Sequence, residues 1–144
     1  MRPLNHRPHN TKKNPDVANL DVPFGSYIAA GVQIDPSSFI GKRVIVKSDN
    51  DSKSGSTVVG PEVSLADSVH ISNRVQIAAG CELWSGVQIE NGVKIGPRTI
   101  LERGVGIGSN ALIGSDVVIG EGSVILPGQK VEDNTNIPPR TYPK

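Results

Sequence analysis

The chain has 144 residues, and its 15 Lys and Arg against 14 Asp and Glu give a formal net charge of +1. That balance excludes a broad charged surface for nucleic acid or anionic lipid. The single cysteine, Cys81, excludes an internal disulfide framework. No apolar run reaches the ~20 residues of a membrane span and no signal-like apolar segment follows the N-terminus, so we expect a soluble cytoplasmic protein.

Residues 1–15 contain three Pro, four Arg or Lys and no acidic residue. A segment of this composition buries too little apolar surface to offset the entropy lost on ordering. It predicts a flexible basic arm, followed by a single domain over residues 16–144.

Aliphatic residues recur at every sixth position of that domain. They form two series, an upstream one and a downstream one offset from it by one residue, and the downstream series has no exception. A spacing of six fits neither the helical period nor the alternation of an ordinary strand, so it indicates a structural repeat. The positions are Val22, Ile28, Ile34, Ile40 and Val46, then Val59, Leu65, Ile71, Ile77, Leu83, Ile89, Ile95, Leu101, Ile107, Ile113, Ile119, Ile125, Val131 and Ile137.

Sorting the downstream positions at intervals of eighteen residues separates them by type. One column begins with Leu65, Leu83 and Leu101, whereas the other two columns contain only Ile and Val. Residues stack every eighteen positions if three hexads complete one turn. The pattern therefore predicts an all-β fold, a parallel β-helix of about six three-sided coils with neighbouring rungs about 4.8 Å apart.

Residues 47–57 interrupt the repeat. Their sequence, KSDNDSKSGST, has no aliphatic residue, and the gap from Val46 to Val59 is thirteen residues. Either a polar loop protrudes here, or one poorly formed repeat carries an extra residue. We favour the loop, because loops on rigid scaffolds often carry function.

The remaining hexad positions also repeat. Third and fourth positions are turn pairs such as Asn91-Gly92 and Arg103-Gly104, as expected for corners that need a positive φ. Fifth positions are small or β-branched and should face inward, whereas sixth positions should face outward. Near the end the inward positions become polar, which predicts a cap for the helix. These polar positions are Ser123, Gln129, Thr135 and Thr141.

Hexads such as Ile95-Gly96-Pro97-Arg98-Thr99 and Ile113-Gly114-Ser115-Asp116-Val117 resemble those of the hexapeptide-repeat family over roughly residues 22–142. The resemblance implies a left-handed parallel β-helix. It also implies an acyltransferase that uses acetyl-CoA or another acyl-CoA, assembles as a trimer, and transfers an acyl group to a hydroxyl or amine of a small molecule or sugar. The C-terminal coils would hold the CoA. The usual C-terminal helix is replaced by Pro139-Arg-Thr-Tyr-Pro-Lys, so we expect no helix there.

Acyltransferases of this family generally use a histidine base, and His70 alone among the three histidines lies within the repeat. The resemblance therefore implies a catalytic role for His70. Gln88 occupies the same position one turn later and is expected beside it. Trp84 is a large ring where the family prefers Gly or Ala, so we expect it outside the prism. It would lie in a ligand groove, in a subunit contact, or simply half-exposed on the surface. We assign Gln88 and Trp84 to substrate binding.

A metal site is not expected. The segment Leu83-Trp84-Ser85-Gly86-Val87 resembles one found in the γ-class carbonic anhydrases, which bind their metal through three histidines. His6 and His9 lie in the predicted arm, which leaves His70 alone, and a catalytic zinc site needs three protein ligands.

Apolar residues at outward positions predict self-association. Polar side chains fill these positions early in the repeat, whereas Ile100, Leu112, Val118 and Val124 fill them later. We expect these four to form the contact surface of a homo-oligomer, a trimer by resemblance. The alternative to an enzyme is a non-catalytic oligomerisation scaffold that partners another enzyme.

Overall fold

The computed structural model of the chain describes residues 11–13, 21–23, 25–48 and 56–142. These residues form short strands and turns, and none of them is helical. The strands are β1 Thr11–Lys13, β2 Asp21–Pro23, β3 Tyr27–Ile28, β4 Gln33–Ile34, β5 Phe39–Ile40, β6 Ile45–Val46, β7 Val58–Val59, β8 Ser64–Leu65, β9 His70–Ile71, β10 Gln76–Ile77, β11 Glu82–Leu83, β12 Gln88–Ile89, β13 Lys94–Ile95, β14 Ile100–Leu101, β15 Gly106–Ile107, β16 Leu112–Ile113, β17 Val118–Ile119, β18 Val124–Ile125, β19 Lys130–Val131 and β20 Asn136–Ile137.

Strands β3 to β20 form three parallel sheets of six strands each. The first face contains β3, β6, β9, β12, β15 and β18, the second face runs from β4 to β19, and the third face runs from β5 to β20. Consecutive strands lie on different faces, so three strands complete one turn and the helix has six turns. Ile77 pairs with Val59 and Ile95, each eighteen residues away. The three-sided, six-turn prediction is confirmed.

The core is a column of aliphatic side chains inside the prism. Every register position from Ile28 to Val131 is buried, and only Ile137, on the last rung, is partly exposed. The fifth positions face inward as predicted, with Val63, Val87 and Val117 buried. Each fully buried aliphatic side chain contributes about 1.5–3 kcal/mol, so the repeated column dominates the stability of the helix.

The interruption falls at the corner between β6 and β7. Val46 and Val59 lie on consecutive faces, which six residues normally connect, so the thirteen-residue gap contains seven extra residues. Strands on the two sides of the interruption pair in register, for example Ile40 with Leu65. Thr57 corrects the predicted range, because it is fully buried and belongs to the coil. Residues 49–55 lie outside the described part.

The N-terminal end departs from the upstream register at Val22. That residue lies in β2, which pairs antiparallel with β1, and its register partner is Lys12 rather than a coil residue. The coil therefore begins at Ile28. The predicted arm over residues 1–15 lies outside the described residues except for Thr11–Lys13, which form β1.

Polar residues at inward positions join neighbouring rungs. The Thr99 hydroxyl donates to the Gly114 carbonyl at 2.8 Å and accepts the Val117 amide at 3.3 Å. Because both hydrogen-bonding functions are satisfied, such a residue is tolerated among aliphatic neighbours. The same bridge is made by Ser26, Ser38, Thr57 and Ser123.

The polar end of the column behaves as the predicted cap. Ser123 is buried, whereas Gln129 and Thr141 on the last coil are exposed. The hydroxyls of Thr135 and Thr141 donate to backbone carbonyls three residues earlier, at 2.7 Å each. Polar groups therefore face the end of the helix, where aliphatic side chains would be exposed to solvent.

The corners turn at the fourth hexad position, where every residue from Glu62 to Arg140 has a positive φ. Glycine, asparagine and aspartate were expected there, and arginine, serine and glutamate also occur. Gly104 has a φ of +73°, and a Cβ added there would meet no atom within 4 Å. Any cost of a side chain at Gly104 is therefore conformational.

Replacing Gly104 with Ala is expected to destabilise the protein by about 1–2 kcal/mol, the cost of a left-handed conformation for a residue with a Cβ. Gly106→Ala is the matched control, because its Cβ also meets nothing within 4 Å and its φ is not in the left-handed region. The control should be neutral or slightly stabilising. Urea unfolding of both variants measures the difference, and equal stabilities would contradict the account of the corners.

Candidate functional site

The structure places His70 and Gln88 side by side on the first face. His70 begins β9 and Gln88 begins β12, and the two residues are register partners on adjacent parallel strands. Both alternate with buried residues, Ile71 and Ile89, so both side chains point outward and are exposed. The predicted neighbour pair is confirmed as a placement, with backbones about 4.8 Å apart.

The surroundings of His70 form an open column rather than a cleft. Below it lie Ile45 and then Tyr27, and above Gln88 lies Gly106, whose missing Cβ leaves open space. A neutral imidazole accepts a proton and an amide both donates and accepts hydrogen bonds. The column thus offers a base and an amide on an accessible surface.

Trp84 lies on a different face from this pair. It follows β11, and its indole Nε1 donates to Glu82 Oε1 at 3.3 Å. Glu82 lies on the third face, so the indole lies over that face and not beside His70 or Gln88. Its side chain is outside the prism as expected, with 41% of the residue exposed. The three predicted site residues are therefore not brought together within one chain.

Sequence reasoning missed an open groove of about 620 Å³ on the second face and the corner that follows it. Its walls are mostly aliphatic, and Gln76 and Lys94 supply the polar groups. The floor comes from second hexad positions stacked at intervals of eighteen: Gly60, Ala78 and Gly96. This column of small residues is the sequence signal that eighteen-residue sorting of the second position would have found.

Glycine is required on this corner because rungs approach closely. A Cβ at Gly96 would lie 2.6 Å from the backbone carbon of Gly114. Beyond the groove on the same corner, Arg98 Nε lies 2.8 Å from Asp116 Oδ1, and its guanidinium bonds both carboxylate oxygens. The hydrogen bonds from Arg98 lower the pKa of the Asp116 carboxyl. The pair keeps Asp116 ionised beside the groove.

The groove and His70 lie on opposite sides of the helix. The groove occupies the corner between the second and third faces, whereas His70 and Gln88 lie on the first face. In a three-sided prism each corner is opposite the remaining face. A ligand in the groove of one copy therefore cannot reach the imidazole of that copy.

Two other candidate centres are excluded among the described residues. No three His, Cys, Asp or Glu side chains in those ranges are close enough to hold a metal ion. Cys81 is buried, its thiol donates to the Gly96 carbonyl at 3.1 Å, and burial raises its pKa. The protonated thiol packs in the core and is not a nucleophile. The described residues also contain no helix able to cross a membrane.

Comparison with known proteins identifies the repeat. Residues 86–127 match the family model described as bacterial transferase hexapeptide, six repeats. The hexapeptide repeat is thus matched over residues 86–127 of the chain. No curated protein matches the chain.

Solved structures share the fold of this chain. A mutant GDP-perosamine N-acetyltransferase from Caulobacter crescentus, in complex with CoA and GDP-perosamine, superposes with a TM-score of 0.58 at 18% identity over 78% of this chain and 52% of its own. The acetyltransferase domain of PglB from Neisseria gonorrhoeae superposes with a TM-score of 0.56 at 18% identity, over 78% of this chain and 54% of its own. A mutant of AntD, an N-acyltransferase from Bacillus cereus in complex with dTDP and coenzyme A, superposes with a TM-score of 0.58 at 18% identity. The match covers 81% of this chain and 73% of its own.

These similarities establish the fold and its hand. The shared architecture is the left-handed parallel β-helix, which confirms the hand expected from the repeat resemblance. The chain spans about half the length of the first two of these proteins. At identities of 18% the likeness carries the fold alone.

Proposed function

We propose that this protein is a CoA-dependent acyltransferase that acylates a hydroxyl or amine of a small molecule or sugar. Support comes from the repeat family and from solved CoA complexes of the same fold. The observation that carries the proposal is the combination of an aliphatic groove with an accessible His70 in that fold. We assign the protein to the cytoplasm.

The acyl donor lies in the groove on the middle coils rather than along the C-terminal coils. The groove's size suits an extended thioester arm, because ligand sites of this class measure about 300–1,000 Å³ and are largely apolar. Lys94 offers a cation to the phosphates of the donor, and Gln76 offers hydrogen bonds to its amides. These two residues pair directly on adjacent strands.

His70 acts as general base toward the acceptor. Its imidazole takes the proton from the attacking hydroxyl or amine as the new bond to the thioester carbonyl carbon forms. When the carbon–sulfur bond breaks, the imidazolium returns this proton to the sulfur, and CoA leaves as the thiol. Gln88 binds the acceptor beside it. Trp84 binds acceptor only where a neighbouring copy covers the third face, because its indole lies over that face.

The complete site requires two copies of the chain. His70 is opposite the groove within one copy, so the donor in one copy must meet the imidazole of another. We propose a closed ring of three copies in which every groove meets the first face of a neighbour. The site is incomplete in a monomer.

We propose a contact surface that differs from the one predicted by the sequence. Ile100 and Val118 are register partners on the third face, whereas Leu112 lies on the second and Val124 on the first. The four residues therefore do not form one surface. We propose that Ile100 and Val118, which are half-buried neighbours, form the apolar part of the contact between copies.

Complementation between two inactive variants tests this site. His70→Ala removes the base, and Ala79→Trp fills the groove that Ala79 helps to line. Each variant alone is expected to lack acetyl transfer from acetyl-CoA to a panel of sugar amines and hydroxyls, monitored by release of the CoA thiol. A co-refolded equimolar mixture should recover about a quarter of the wild-type rate, the share of random contacts that join an intact groove to an intact His70.

Two controls make this result decisive. A mixture of the variants without refolding should stay inactive until copies exchange, and a mixture of His70→Ala with itself should stay inactive throughout. Absence of recovery in the co-refolded mixture, with wild-type protein active, would contradict a site shared between copies. Activity of a wild-type monomer would contradict it as well.

A non-catalytic scaffold is the second candidate. The open surroundings of His70 favour it, because a catalytic base normally lies in a cleft. The scaffold reading predicts the same oligomer and no turnover. Wild-type oligomer without CoA binding would favour this second candidate.

A further inference from the structure

Asn91-Gly92 is the only Asn-Gly pair in the chain. In such a pair the glycine backbone nitrogen attacks the asparagine side-chain carbonyl carbon, and a C–N bond forms while ammonia leaves. Water then opens the cyclic imide to aspartate or isoaspartate. Glycine favours the reaction because it lacks a Cβ and restricts the backbone least.

Both reacting groups are held by the rung below. The Gly92 amide, which contains the attacking nitrogen, donates to the Asn73 carbonyl at 3.0 Å. The Asn91 side-chain oxygen accepts the Asn73 amide at 3.0 Å. Ring closure requires rotation about the Asn91 side chain and release of the Gly92 amide, so both hydrogen bonds must break first.

The rung above holds the same peptide. The Asn110 amide donates to the Asn91 backbone carbonyl at 2.8 Å, so the turn is fixed from both sides. Gly92 has a φ of +76°, the conformation of the corner. Inward of the turn, Val93 is fully buried and anchors the corner to the core. Asn91 is nevertheless exposed to water.

We infer that Asn91-Gly92 is a latent deamidation site, which the coil keeps closed and which reacts only when the corner between β12 and β13 opens. The reaction then damages the helix permanently. Isoaspartate adds a backbone carbon to a corner of fixed length, and aspartate adds a charge at the same place. Gln88 lies three residues before Asn91 and Lys94 lies three residues after it, so the distorted corner separates two residues of the proposed site.

Incubation of the full chain at mildly alkaline pH tests the inference, with peptide mapping by mass spectrometry to quantify the aspartate and isoaspartate products formed from Asn91. In native buffer the rate at Asn91 should be at least about a hundredfold lower than in concentrated urea, because only the open state reacts. Similar rates in the two conditions would overturn the inference. Absence of reaction at Asn91 in urea would overturn it too.

A pair of variants separates opening of this corner from unfolding of the whole helix. Val93→Ala loosens the corner, whereas Val117→Ala makes the same truncation at an equally buried fifth position of another corner. In native buffer Val93→Ala should deamidate at least about tenfold faster than Val117→Ala, since local openings differ in free energy along a structure. In urea their rates should be equal. Equal native rates at equal global stability would overturn the assignment to this corner.

Discussion

Replacing Ile95 with Asp is expected to unfold the chain. Ile95 is 3% exposed and stacks between Ile77 and Ile113 on the second face. The substitution loses the burial of an aliphatic side chain and places a carboxyl without a partner in the core, a cost of about 5 kcal/mol or more. That cost is comparable with the whole stability of a typical domain.

The matched control is Lys94→Asp, on the same strand but pointing outward. It introduces the same carboxyl into solvent, so the free energy of unfolding should change by less than about 1 kcal/mol. Far-ultraviolet circular dichroism and urea unfolding compare the two variants. A folded, cooperative Ile95→Asp protein would contradict the assignment of this register to the core.

Replacing His70 with Ala is expected to lower kcat for acyl transfer by about 100- to 10,000-fold, the usual contribution of a general base. The fold should not change, because the His70 side chain points away from the core. The KM for acyl-CoA should change little, since the donor lies in the groove on the opposite side of the same copy. Steady-state kinetics with acyl-CoA and acceptor varied separately measure these effects.

Gln33→Ala is the control for a generic surface effect. Gln33 is exposed at the same hexad position as His70 but lies on the second face, away from it. The kcat of Gln33→Ala should therefore equal that of the wild type. Gln88→Ala should raise the KM for the acceptor and leave kcat within about tenfold of the wild-type value, because Gln88 binds the acceptor without moving a proton. An unchanged kcat in His70→Ala would remove this histidine from the mechanism.

The fold follows from the sequence because each rung repeats the same physical requirement. An inward aliphatic residue at every sixth position specifies the strand, and the turn pair before the next strand specifies the corner. Eighteen-residue sorting gives the number of faces because stacked residues share a column. Val22 was predicted to belong to the coil but pairs with Lys12 instead. The repeat pattern does not specify at which residue the coil starts.

The candidate site follows from the sequence only in part. The His70–Gln88 pair depends on register alone, and the structure shows it. The groove exists because small residues stack on one corner in several successive rungs. A single hexad contains only one of these residues and so does not predict the groove. Ile100, Leu112, Val118 and Val124 were grouped by their order in the chain, whereas consecutive hexads lie on different faces.

Acetyl-CoA binding measured by titration calorimetry tests the central claim most directly. Wild-type protein should bind with a measurable heat, and His70→Ala should bind with similar affinity because the base lies outside the donor groove. Ala79→Trp should show no binding, because the indole fills the space that the donor needs. No heat with the wild-type protein would contradict the acyltransferase account, and unchanged binding by Ala79→Trp would remove the groove from it.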